Sequence, residues 1–133
     1  MHPTVTIFDP FRKEDVEIDQ KLTIIIQKLW HMGYQTFACC QGGHKKGHYV
    51  MDVKDAAAII EWEPRYQMVW DPDYDWYEPG YIMFGAGNGH WARSWLENQG
   101  LVILGVEHDF GVFNRAHDTV RFYFPEDKPD YTD

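Results

Sequence analysis

A helix-forming stripe that stops at a glycine and hands over to alternating strands occurs twice in this chain. That order restricts the fold more than any other feature. In the first copy Ile18, Leu22, Ile25, Leu29 and Met32 recur at intervals of four and three, the stripe of an amphipathic helix. Asp15 or Asp19 supplies an N-cap, and Gly33 stands where a left-handed residue closes a helix. Alternation then predicts a hairpin with strands near residues 34–39 and 48–53. In the second copy a helix over about residues 91–99 ends at Gly100, and strands over 101–107 and 119–124 follow. Val120, Phe122 and Phe124 share one face of the last strand, with Thr119, Arg121 and Tyr123 opposite.

The remaining segments fill in around this echo. Residues 4–8 alternate as a first strand, and 55–62 form a short helix stopped by Pro64. Residues 65–70 and 80–84 read as a strand pair joined by an acidic loop over 71–79. The expectation is an α+β fold: a mostly antiparallel sheet of three hairpins, with two main helices on one face. One domain is expected over residues 1–125, with a loose acidic tail over 126–133.

The chain's 133 residues suffice to bury roughly two-thirds of the unfolded surface. Aromatic residues make up 17%, too many for all to be buried, and exposed rings mark binding or self-associating surfaces, a homo-oligomer among them. A formal charge of -9, with Lys45-Lys46 the densest basic run, argues against direct nucleic-acid or anionic-membrane binding. The same charge suits a basic partner, such as a host protein. The first eight residues lack the pattern of a signal peptide, and no apolar run nears the roughly 20 residues that span a bilayer. Adjacent Cys39 and Cys40 do not make an ordinary structural disulfide. A cytoplasmic protein follows.

Two glycine-rich turns carry the chemistry. Gln41, Gly42 and Gly43 can expose successive amides beside His44, Lys45 and Lys46, a nest for a phosphate or carboxylate. Gly87, Asn88 and Gly89 precede a helix with Arg93 in its first turn, a second place for an anion such as a nucleotide. The spacing is neither a Rossmann nor a Walker fingerprint.

Cys40, His44 and His48 recur at four-residue intervals, and with His90, His108 or Cys39 they would supply zinc with ligands, structural or hydrolytic. Strand alternation separates Cys39 from Cys40, and paired Cys-x-x-Cys knuckles are absent. Asp71, Asp73 and Asp75 resemble the start of a calcium loop, but Trp76 and Ile82 replace its glycine and closing glutamate. His108 and His117 each lie beside aspartates, pairs suited to acid–base work, with no nucleophile fixed next to them.

From Gly33-Tyr-Gln-Thr-Phe-Ala-Cys-Cys-Gln-Gly-Gly-His44 to His48-Tyr-Val-Met-Asp52 the chain resembles small bacteriophage and Gram-positive proteins. Those carry a helix, Gly-aromatic-x-Thr, a Ser-Cys-x-Gly-His turn and a Tyr-Ile-x-Phe strand. That turn is similar to the Ser-x-Ser-Cys-Ser-Gly-Arg segment of the tRNA wybutosine-synthesising methyltransferase-like family, an α+β fold. The resemblance covers residues 18–53. Cys39 stands where the pattern has serine, Gly43 displaces His44 by one position, and the family's arginine is absent. The resemblance implies a phage-type accessory protein with a functional loop over 40–44. Three readings follow: a non-enzymatic protein binding a small anionic ligand, a zinc protein, or an acidic protein-binding decoy that uses residues 61–79.

Overall fold

The computed structural model describes residues 2–53, 66–112 and 115–129. The short helix expected over 55–62 and the last four residues of the expected tail lie outside these.

The elements run β1 (Thr4–Asp9), β2 (Glu14–Asp19), α1 (Thr23–His31), β3 (Thr36–Cys40), β4 (Gly43–Val53), β5 (Tyr66–Glu78), β6 (Gly80–Gly85), α2 (Gly89–Asn98), β7 (Val102–Val112) and β8 (Arg115–Tyr123). They form an antiparallel four-stranded sheet in the order β3-β6-β8-β7 and two two-stranded sheets, β1-β2 and β4-β5. The α+β expectation holds. Residues up to Gly43 and from Glu78 onward make one compact unit, and His44–Tyr77 make a second.

In the larger unit the echo is a real architectural repeat. Helix α1 leads into β3 and its partner β6, while α2 leads into β7 and its partner β8. The second strands of the two copies, β6 and β8, pair at the centre, with Ile82 opposite Val120. Both helices close in the same way. Gly33 N–H donates to Trp30 O and Tyr34 N–H to Leu29 O; Gly100 N–H donates to Glu97 O and Leu101 N–H to Leu96 O. Each glycine has φ above +90°, the left-handed conformation this motif needs. One core then joins Leu22, Ile26 and Leu29 before and on α1, Ala92 and Leu96 on α2, and Ile82, Phe84, Val120 and Phe122 on the sheet.

Three expectations change. Residues 34–53 are not a hairpin, because β3 pairs with β6 and β4 pairs with β5. The acidic segment 71–79 is not a loop, because Tyr66–Glu78 is continuous strand. Asp and Pro are disfavoured inside sheets, but in a two-stranded ribbon every strand is an edge open to water, where both are tolerated. The helical stripe expected from Ile18 does not begin a helix there, because Glu14–Asp19 is strand β2. Val16 and Ile18 pack inward from a strand, and the helix proper begins only at Thr23.

The start of the expected tail is anchored. Pro125–Asp127 form a 3-10 turn, Lys21 Nζ lies 2.6 Å from Glu126 Oε1 and 2.8 Å from Asp127 Oδ2, and Pro129 is buried. No helix among the described residues is long and apolar enough to cross a membrane.

Candidate binding ribbon and the two glycine turns

Both glycine turns hold a carboxylate, and in both it is the protein's own. At the second turn the amides of Gly87 and Gly89 each donate to Asp118 Oδ2 at 3.0 Å. Asp118 sits on β8, 2% exposed, and its Oδ1 lies 2.7 Å from His108 Nδ1. Burial alone would raise its pKa; hydrogen bonds from His108 and from the Gly89 and Gly87 amides outweigh that and lower it. Asn88 makes no side-chain cap, so α2 is capped across the fold by Asp118. Gly89 is fitted to this contact: a Cβ there would meet Asp118 Cβ at 2.8 Å and Val106 Cγ1 at 2.6 Å. Arg93 pairs with Glu97 one turn on. The amides expected to meet an external anion at Gly87–Gly89 are therefore already engaged.

The first turn follows the same logic. Gln41 N–H donates to Asp19 Oδ2 at 2.9 Å, and Gly42 N–H approaches Cys40 Sγ at 3.4 Å. Gly42 has φ +68°, and a Cβ on it would lie 2.3 Å from Glu78 O and 2.5 Å from Gly80 N. These glycines do not close a hairpin turn. Gly42 lets the chain pass tightly against the backbone of residues 78–80.

The two cysteines are thiols on opposite sides of β3. Cys39 packs against the core, and burial, followed by the charges of Asp19 and Cys40, pushes its pKa up to about 12. Cys40 instead lies beside Asp19 and His2, two residues the sequence reading did not single out as ligands. They sit together at the open end of the β1-β2 hairpin, where Thr4 faces Asp19. Only a correct assignment of β2 would have brought them together.

The other expected ligands are elsewhere. His44 Nε2 lies 2.9 Å from Asp75 Oδ1, and His48 Nδ1–H donates to Tyr49 O at 2.7 Å, its ring flanked by Tyr74 and Trp76. His90 and His108 come together with ring centroids 5.5 Å apart. No group of three metal-ligating side chains among the described residues contains His44, His48, His90 or His108. His117 is buried, edge-on to Phe37.

The ribbon β4-β5 is the chemically loaded surface. Of its residues whose burial is described only the glycines Gly43 and Gly47 are buried. Tyr49, Met51, Met68 and Trp70 are all more than half exposed, and Tyr74 is nearly so. The rings are nevertheless ordered. Trp70 packs over Gly47, where a Cβ would lie 2.5 Å from its Cζ2, and Tyr49 meets Trp70 edge-to-face at 5.2 Å. Trp76 Nε1–H donates to Gly47 O at 3.0 Å. Gly47 has φ +92°, so the backbone and the absent side chain serve the same ring platform. Asp71, Asp73 and Asp75 punctuate it.

No protein-family model matches this chain, and neither a curated protein nor a solved structure does.

Proposed function

We propose that this protein is a non-enzymatic, phage-type binding module that docks its aromatic, acidic ribbon on a basic surface of a host protein. One observation carries the reading: among its described residues the ribbon buries no large hydrophobic side chain and leaves Tyr49, Met51, Met68, Trp70 and Tyr74 exposed. An isolated two-stranded hairpin is marginal, and a contiguous apolar surface on a soluble domain is most often an interface. Trp and Tyr are the residues that dominate interface energetics. Here they are held in place by Gly47 and by ring–ring contacts, which reduces the ordering cost of binding.

Charge selects the partner. Asp71, Asp73 and Asp75 are interspersed with Trp70, Tyr74 and Trp76 along β5, and the whole chain carries -9. A second copy or a polyanion would be repelled, and a Lys- or Arg-rich protein surface is attracted. An anionic small ligand fits less well, because the turn amides expected to hold it already bind Asp118, Asp19 and Cys40 Sγ.

The test is capture from host lysate with the wild type, with Trp70→Ala/Tyr74→Ala, and with Asp71→Asn/Asp73→Asn/Asp75→Asn, each read by mass spectrometry. A basic protein retained by the wild type and lost from both variants is expected. A capture profile unchanged by both variants removes the reading.

A further inference from the structure

We propose that His2, Asp19 and Cys40 form a binding site for a thiophilic divalent transition metal, with zinc as the type ion. The three side chains come from separate parts of the chain: ahead of β1, at the end of β2 and at the end of β3. One donor atom from each lies within 4.8 Å of the other two. A tetrahedral ion about 2.0–2.3 Å from each ligand holds its donors about 3.5 Å apart, so closing the site asks for shifts of about 1 Å. All three side chains are only partly buried, which leaves them room to move and lets water reach a fourth coordination position. A thiolate with an imidazole and a carboxylate suits zinc, cobalt or cadmium rather than magnesium or calcium.

The hydrogen bonds around the cluster are of the kind that supports ligands. Gln41 N–H donates to Asp19 Oδ2 and Gly42 N–H to Cys40 Sγ, which fixes the position of two of the three donor groups. The Gln41 side chain accepts from Lys21 N–H at 3.2 Å and reaches His2 Nδ1 at 3.3 Å. It is buried itself, and Gly42 behind it is locked between Glu78 and Gly80. One residue therefore touches two of the three ligands from a fixed position. Gln41 Nε2 occupies the lone pair that an ion on Nδ1 would take, so metal uptake exchanges one bond for another.

Of the residues expected as ligands from spacing, Cys40 alone belongs to this set. Chain neighbours His44 and His48 point to other partners on the ribbon. The site is independent of the ribbon reading, and the two stand or fall separately.

The test uses protein carrying no tag at either end, stripped with a chelator and titrated with Co²⁺, then Zn²⁺. A thiolate-to-cobalt charge-transfer band saturating at one equivalent and bleached by zinc is expected. Cys40→Ser abolishes the band and Cys39→Ser keeps it. His2→Ala and Asp19→Asn each weaken cobalt binding tenfold or more, and His90→Ala leaves it unchanged. Circular dichroism checks each fold. Asp19→Asn, which keeps an acceptor for the Gln41 amide, decides the matter if Cys40→Ser does not fold. No band in the wild type, a band that survives Cys40→Ser, or undiminished affinity in Asp19→Asn overturns the site.

Discussion

Replacing Asp118 with asparagine removes one negative charge and changes almost no volume. The carboxylate accepts three hydrogen bonds, from Gly87 N–H, Gly89 N–H and His108, at 2.7–3.0 Å. A hydrogen bond to a charged group contributes about 1 kcal/mol more than its neutral counterpart, so up to about 3 kcal/mol is at stake. Burying a neutral amide costs less than burying a carboxylate, which returns part of that sum. The expected net loss is about 1–3 kcal/mol at neutral pH, including the favourable placement of the charge at the start of α2. For a unit of this size it lowers the melting temperature by about 4–12 °C.

The pH dependence supplies a second check. Asp118 has a folded-state pKa below its ordinary 3.8, so its contribution is present above that value and lost as pH falls through the lower folded pKa. Asparagine does not titrate. Urea denaturation of both proteins from pH 7 to pH 3 should show a gap that is full at pH 7 and narrows at the acid end. Equal stability at pH 7, or a gap of constant size down to pH 3, would refute the claim that Asp118 caps α2 as an anion.

Other substitutions separate glycines that fill a conformation from glycines that fill a space. Gly33→Ala and Gly100→Ala meet nothing within 4 Å and should each cost only about 1 kcal/mol, for the left-handed backbone. Gly42→Ala meets backbone atoms of Glu78, Pro79 and Gly80 at 2.3–2.7 Å and should cost about 3 kcal/mol or more in the same denaturation assay. An equal cost at all three positions would contradict the packing at the first turn. Alkylation at pH 8 followed by peptide mass spectrometry should leave Cys39 unmodified in the folded protein, because its buried thiol titrates near 12, and modify it promptly in urea.

The helix closures were readable because a Schellman motif is local: Gly33 and Gly100 announce it, and the bonds they enable span six residues. The core strand Val120–Phe124 was readable for a similar reason, since alternation follows from the pleat alone. Strand partners were not. His48–Val53 follows Tyr34–Cys39 in sequence and looks like its mate, but β3 pairs with β6, from which the ribbon's residues separate it in sequence. Composition also misled at Asp71-Pro-Asp-Tyr-Asp75, because strand propensity reflects burial and this ribbon has little.

What the sequence determined by itself is the fold class, the twofold helix–glycine–strand order and the chemical types at the two glycine turns. These rest on periods and caps that act over a few residues. Only the tertiary structure decided what those turns do. Asp118 reaches the Gly87 and Gly89 amides from a strand thirty residues away, and His2 and Asp19 reach Cys40 through the register of β1 and β2. A carboxylate, an imidazole and a thiol become one site only where long-range pairing sets them a few ångströms apart, and no local pattern in the chain encodes that distance.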